Sequence, residues 1–354
     1  MTNVPVLFAR QDYPVFQNIT FPSAEAARNA TRVNISLIQD PVTGTVKNRD
    51  FDAQLMTYDE NYHNEQGLSD AFKTHLLQVS ELIAAYMPQH KLVEIGCGKG
   101  VFLDLLSQQG FSISGFDPSY VGDDSRIRKA YFNAQSNVAC DGIILRHVLE
   151  HIEDPLSFLH LIKSQAPAGT KIYIEVPNLD WILAKNAWFD VFYEHVNYFR
   201  LSDFQRYFKR TLSLGDIFHQ QYLYVIADLD ELQDVASLPT EPTRLAPFSL
   251  GLGSALLAQL QSEQPISIWG GASKGVIFAL NLARMGLKVA RIIDINPKKQ
   301  GQYTAVTGIR IESPEEARQG MRDGESLYVM NSNYLEEIKT MTANRFTYHI
   351  IEDN

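Results

Sequence analysis

Residues 91–100, KLVEIGCGKG, run a short apolar segment directly into three glycines, Gly96, Gly98 and Gly100. Such a segment reads as a buried strand that must end in a tight loop, because closely spaced glycines adopt backbone angles that other residues resist. The next residues, VFLDLLSQQG (101–110), repeat apolar positions at helical spacing and close on a glycine, and FSISGFDPS (111–119) returns to a strand and a turn. A strand, a helix and a second strand in so short a span make a parallel pair with its crossover helix. Two more apolar runs, ACDGIILRH (139–147) and TKIYIEVPN (170–178), extend the pattern. The expected class is therefore α/β, a parallel sheet with helices on both faces and ligands at the carboxyl ends of its strands.

The chain divides around this unit. Residues 1–55 are polar, rich in Asn and Thr, and punctuated by Pro5, Pro14, Pro22 and Pro41, which predicts a small irregular region of turns and short strands. Residues 69–87 form an amphipathic pattern with Ser69 as cap, and a helix is expected there. After a proline-rich joint (237–247) and a predicted helix over 248–262, a second alternation begins. It comprises ISIWGGASKG (266–275), VIFALNLARMG (276–286), KVARIIDINP (288–297), SPEEARQGM (313–321) and SLYVMNSN (326–333). The expected organisation is an N-terminal region (1–55), a first nucleotide-fold-like domain (56–235), a linker and helix (236–262) and a smaller Rossmann-like domain (263–354).

A formal charge of -10 and the lack of any Lys/Arg cluster disfavour nucleic acid as a partner. The N-terminus does not read as a signal peptide and no stretch of 18 apolar residues occurs, so a cytoplasmic protein is expected. Two cysteines, Cys97 and Cys140, are too few for a disulfide framework or a four-cysteine metal site. The stretch RHVLEHIEDP (146–155) matches His-x-x-Glu-His through His147, Glu150 and His151, a metalloprotease signature. That chemistry needs both histidines on a long helix and a third ligand, whereas Pro155 limits any helix here to about a turn. A zinc hydrolase is disfavoured and no metal is expected.

The spacing Gly96-x-Gly98-x-Gly100 differs from the G-x-G-x-x-G of dinucleotide enzymes. Asp117 ends the second strand about twenty residues on, where a carboxylate accepts hydrogen bonds from a ribose. An adenosyl ligand is implied. Glu94 before the glycines, GFDPS after the second strand and DGIIL before RHVLEHIEDP together resemble the class I S-adenosylmethionine methyltransferases, over residues 56–230. The resemblance implies S-adenosylmethionine as cofactor, held by Tyr58, Gln66, Glu94, Gly96, Cys97, Gly98, Gly100, Asp117, Pro118, Arg146 and His147.

Residues 187–199, AWFDVFYEHVNYF, gather aromatic side chains around Glu194 and His195. With YDENYHNEQ (58–66) and the second glycine-loop domain, they resemble the sugar C-methyltransferases. That likeness implies methylation of a carbon beside the ketone of a nucleotide-linked deoxysugar, with His195 removing the α proton to give an enolate. Imidazole, with a pKa near about 6.5, suits that task. The resemblance makes His195, Glu194, His151 and Tyr62 the catalytic set, with Tyr62, Tyr193 and His151 as the available enolate donors. Tyr193, Asn197 and Tyr198, with Ser273, Lys274 and Asn296 of the second loop, would hold the acceptor. The family's N-terminal zinc site is expected to be absent, because residues 1–55 lack cysteine, and Phe192 replaces a common tyrosine. Oxygen or nitrogen methylation of another small molecule is the alternative, and a binding protein without turnover is a further one.

Overall fold

The computed structural model describes residues 4–56, 66–88, 91–263 and 265–353, with Gln66 and Asp353 described by backbone alone. Its largest sheet holds seven strands: β1 (Lys91–Ile95), β2 (Ser112–Phe116), β3 (Ile127–Arg128), β4 (Gly142–Arg146), β5 (Lys171–Pro177), β6 (Ser213–Ile217) and β7 (Tyr222–Asp228). Their spatial order is β6-β7-β5-β4-β1-β2-β3, with β7 antiparallel to both neighbours and the other pairings parallel. The order reverses between β1 and β4, which opens a crevice at their carboxyl ends.

Strand alternation sorts this sheet into two faces. Val93, Ile95, Ile143, Leu145, Ile172 and Ile174 pack into one apolar layer, whereas Leu92, Ile144 and Tyr173 join the other beneath the helix Asp70–Tyr86. By the same period Glu94, Arg146 and Glu175 fall on the helix-covered face. The helix begins where expected: Ser69 caps the Phe72 amide, and the Glu337 carboxylate from the C-terminal half accepts from Ser69 Oγ (2.5 Å) and from the Asp70 and Ala71 amides.

A second sheet comprises β8 (Ile266–Trp269), β9 (Val289–Ile293), β10 (Ile311–Glu312), β11 (Ser326–Val329) and β12 (Thr347–Ile350), all parallel in the order β10-β9-β8-β11-β12. It repeats the arrangement of β3-β2-β1-β4-β5, so the second unit is Rossmann-like as the sequence pattern predicts. Helix Pro314–Gly320 starts with the capping box of Ser313 and Glu316.

Two expectations need correction. The N-terminal region is not irregular: Val6–Pro14, Arg32–Gln39 and Val46–Asn48 form an antiparallel sheet completed by Asn197–Tyr198. Register shifts between Val6 and Phe8 and between Arg10 and Tyr13, with Asp12 at φ 55°, break the two-residue period and hide the strand. The helix predicted over 248–262 is only Ser254–Ser262. Ahead of it the Phe248 amide bonds Leu7 O and the Gly251 amide bonds Asn186 Oδ1, so this stretch straps the N-terminal sheet instead. One apolar core joins Leu7, Ile35 and Leu37 to Trp188 and Phe189 and to Ile268 and Phe278. No described helix is long and apolar enough to cross a membrane.

The second glycine loop tests this packing. A Cβ at Gly275 would lie 1.8 Å from the Gly270 carbonyl oxygen, whereas one at Gly251 would meet nothing within 4 Å. Gly275→Ala is expected to cost about 1–3 kcal/mol or more in denaturant unfolding, with Gly251→Ala within about 0.5 kcal/mol of the parent.

Candidate functional site

The loop after β1 is built as the sequence implies. Gly96, Gly98 and Gly100 take φ of 76°, 55° and 83°, and added Cβ atoms at Gly96 and Gly100 would lie 2.3 Å from Val148 and 2.8 Å from Ile127. At Gly98 such an atom would meet nothing within 4 Å, so the backbone there borders open space. The Gly98 amide donates to Asp117 Oδ2 (2.8 Å), while Asp117 Oδ1 accepts from the Ser119 amide and hydroxyl. Pro118 is half-buried beside it. Cys97 turns its thiol into the core against Gly115, leaving only its backbone for a ligand, and burial raises the thiol above its ordinary value.

Beneath this loop lies a buried charge cluster. Glu175 is fully buried, 3.0 Å from His75 Nε2 and 3.0 Å from His147 Nε2, and it accepts from Tyr173 OH at 2.6 Å. Arg146 sits in register beside Glu175 and reaches Glu94 through Nη1 at 3.5 Å, with its guanidinium over the Phe102 ring. Burial alone would raise the Glu175 carboxyl, but His75 and His147 overcome it and hold it well below the usual carboxylate range. Glu94 lacks so close a partner, and burial pushes it up to about 7 against the pull of Arg146. Burial works against a charged His147 as well, yet Glu150 and Glu175 raise it to about 9. His147 adopts φ 53°, which turns its ring to these carboxylates and away from any face shared with His151. The intervening residues Leu149–His151 make a single 3-10 turn, so the two histidines of the metalloprotease pattern do not line one helix.

His151 and His195 do come together, with ring centroids 4.9 Å apart. His151 Nδ1 donates to the Glu194 carbonyl at 2.8 Å. Phe192 packs on His195 at 4.1 Å, and burial, then the charges of His151, His147 and Lys274, hold the His195 imidazole well below its ordinary value. The Glu194 carboxylate faces the N-terminal sheet, where it accepts from the Gln17 amide at 2.8 Å. Tyr198 OH bonds both amide and carbonyl of Phe192 and so closes the loop carrying His195. Asn197 Nδ2 donates to Ile152 O and ties that loop to the turn after β4. Tyr193, a candidate enolate donor, commits its hydroxyl to the Asp52 amide and the Asp50 carbonyl. Tyr58 and Tyr62 lie outside the described residues, and Gln66 opens a short turn whose side chain is also outside them.

The carboxyl ends of the two sheets face one another. Lys99 of the first glycine loop meets Lys298 after β9, and burial with that like charge holds Lys99 down at about 8. A cavity of about 210 Å³ opens at the ends of β8, β9 and β11, lined among others by Trp269, Ser273, Lys274, Asp294, Asn296 and Lys299. Asp294 repeats the geometry of Asp117: its Oδ2 accepts from the Gly271 amide and its Oδ1 from the Asn296 amide. Asn296 Nδ2 is buried with no hydrogen-bond partner among the described residues. Lys274 pairs with Asp190 at 2.9 Å and donates to Gln221, so its charge is shared with these groups. Ser273, at φ 30°, directs its hydroxyl to Asn18.

Glu175 and His75 escaped the sequence reading. A lone carboxylate inside the apolar run IYIEVP, and a histidine on the buried stripe of helix Asp70–Tyr86, were the available signals.

Sheet order and glycine loop together make a Rossmann-like α/β unit whose first loop leaves open space at Gly98. Residues 63–211 match a family model described as a methyltransferase domain, and that part of the chain carries the first five strands of the seven-stranded sheet. Three solved structures are among those it resembles. A Pyrococcus horikoshii OT3 protein is 14% identical, covering 49% of this chain and 99% of that one with a TM-score of 0.37. A SAM-dependent methyltransferase from Archaeoglobus fulgidus is 19% identical (43% and 94% covered, TM-score 0.31). The 1,6-didemethyltoxoflavin-N1-methyltransferase of Burkholderia thailandensis, with its namesake ligand and S-adenosylhomocysteine bound, is 14% identical (45% and 80% covered, TM-score 0.34). No curated protein matches the chain.

Gly96→Ala is expected to abolish S-adenosylhomocysteine binding in calorimetry, since Val148 blocks the new methyl and φ is positive. Glu175→Ala strands buried imidazoles and is expected to cost about 3–5 kcal/mol of unfolding free energy. His147 is raised from 6.5 to about 9 in the fold, so its stabilisation is complete below about pH 6.5 and lost as pH rises through about 9. His147→Asn, which tolerates the same φ, should flatten that slope in pH-dependent melts.

Proposed function

We propose that the protein transfers a methyl group to a carbon of a nucleotide-linked keto-deoxysugar, with His195 as general base. The observation that carries this reading is the position of His195, a neutral imidazole beside His151 on the loop after β5, at the carboxyl edge of the methyltransferase sheet and with the second domain's Lys274 close enough to lower its pKa. We assign cofactor binding to residues 56–235 and the nucleotide to residues 263–354, joined by 236–262, with the N-terminal sheet of 1–55 bracing the His195 loop through Gln17. A cytoplasmic setting suits two buried, free cysteines.

Glu94, Gly96, Gly98, Gly100, Asp117, Pro118, Arg146 and His147, with the Cys97 backbone, would hold S-adenosylmethionine, joined by Tyr58 and Gln66. The cofactor supplies an electrophilic methyl group on a sulfonium. His195 accepts the α proton, and the carbon left with that electron pair takes the methyl. Its neutral form is available throughout physiological pH because its pKa is depressed. A bound diphosphate, by offsetting the positive charge of Lys274 and the neighbouring histidines, would strengthen it as a base only once the acceptor is in place. His151 and Tyr62 remain the donors for the enolate oxygen, since the Tyr193 hydroxyl is committed elsewhere. Glu194 acts by holding the loop rather than by touching the ring, and Tyr193, Asn197 and Tyr198 shape the same loop.

For the nucleotide, Asp294 offers a ribose the same carboxylate geometry as Asp117, and Asn296 Nδ2 offers a donor. The like-charged pair Lys99 and Lys298 suits a diphosphate, and Ser273 and Lys274 on the second glycine loop are further candidates for it. Methylation of oxygen or nitrogen is the alternative, with His195 deprotonating a hydroxyl or amine.

Wild type is expected to exchange the α hydrogen of the keto sugar in deuterated water, and His195→Asn to slow that exchange by about 10²–10⁴-fold without loss of S-adenosylhomocysteine binding. A methyl found by NMR on oxygen or nitrogen would sink the assignment. The acid limb of kcat/KM should fall below the ordinary histidine value of 6.5.

A further inference from the structure

The turn after β4 and the loop after β5 bring Glu150, His151 and His195 together, and one ligand atom from each lies within 4.8 Å of the other two. Glu150 is 1% exposed, and neither carboxylate oxygen receives a hydrogen bond among the described residues. Its nearest counter-charge, His147 Nδ1, stands 3.5 Å away. A carboxylate buried in this state is costly, and a cation between it and the facing imidazoles would remove the cost. The Nδ1 atom of His195 is likewise buried with no hydrogen-bond partner. His151 is prepared in the manner of metal-ligating imidazoles: a carbonyl oxygen can only accept, so the bond to Glu194 O fixes the proton on Nδ1 and the lone pair on Nε2.

Two imidazoles and one carboxylate are the donor set for a first-row divalent ion, with bonds of about 2.0–2.2 Å and one position left open. A tetrahedral site with such bonds spaces its ligand atoms roughly 3.4 Å apart, so the three atoms, now within 4.8 Å of one another, must close in on the ion. His147 is not one of the three grouped ligands: its Nε2 faces Glu175 and its Nδ1 stands beside Glu150 as a counter-charge. The site is therefore not the metalloprotease pattern of the sequence: one histidine of that pattern is replaced by His195, forty-four residues beyond His151.

We propose that Glu150, His151 and His195 form a binding site for one divalent transition-metal ion of the zinc class, and that its occupancy withdraws His195 from use as a base. The second half of this proposal rests on the function proposed above; the first half does not. It also departs from the expectation, drawn from the sequence, that the chain holds no metal.

Full-length protein stripped with a chelator and titrated with Zn²⁺ in a calorimeter should bind one equivalent. Glu150→Gln and His195→Gln should each weaken that binding by at least about tenfold. Should Glu150→Gln fail to fold by circular dichroism, His195→Gln decides alone. Stoichiometric zinc should also slow α-hydrogen exchange by wild type at least about tenfold, reversed by chelator. Binding of less than one equivalent, or affinity unchanged in the folded variants, overturns the site; exchange unaffected by bound zinc overturns the inhibition. Absence of exchange in the metal-free protein would instead count against His195 as base, while the titration still decides the site.

Discussion

A carboxylate sealed from water must be met by positive charge, and Glu175 imposes that condition on the carboxyl edge of the seven-stranded sheet. It draws His75 from the covering helix, His147 from the turn after β4 and Arg146 from the neighbouring strand. The backbone of His147 accepts a left-handed conformation to reach it. The turn that follows brings Glu150 back to His147 and carries His151 to His195. The cofactor loop rests on the same cluster through Glu94. Breaking a buried pair of this kind costs far more than an exposed one, which makes the cluster a fixed base for the turns built on it.

The two Rossmann-like units approach each other at the carboxyl ends of their first two strands, where Lys99 meets Lys298. Asp117 and Asp294 hold their respective glycine loops by the same pair of hydrogen bonds, and Lys99 and Lys298 meet across the gap. A single apolar core running from the N-terminal sheet through Trp188 and Phe189 to Phe278 fixes this alignment. The His195 loop lies within that core and is closed on itself by Tyr198. Its position thus depends on three parts of the chain that are distant in sequence.

Much of the fold was legible because its signals are local. Apolar runs ending in glycines marked β1 and β8, Ser69 and the Ser313 box marked helix starts, and Asp117 marked the end of β2. The N-terminal sheet was hidden by bulges that break the strand period, and the helix expected from 248 begins only at Ser254 because the Phe248 and Gly251 amides bond Leu7 and Asn186 instead. In the candidate site, the positive-φ turn at Gly96, Gly98 and Gly100 was readable from the glycine spacing. The partners of His147 were not, since Glu175 and His75 come from a strand and a helix far along the chain, and only three-dimensional packing joins them. Tyr193 looked chemically suitable from its neighbours in sequence, yet the alternation of the loop turns it to the N-terminal sheet.

The Glu337 carboxylate on the first turn of helix Asp70–Tyr86 has a wider meaning. Free amides at a helix start are normally answered by the helix's own flanking residues, but here part of the answer comes from the far end of the chain. Glu337 also lines the cavity at the ends of β8, β9 and β11, so a molecule settling there would lie beside the group that anchors helix Asp70–Tyr86. The two halves are therefore not interchangeable modules: a methyltransferase unit cut from its companion would begin with an incompletely capped helix, and a transplanted companion would need to bring an acid to that spot.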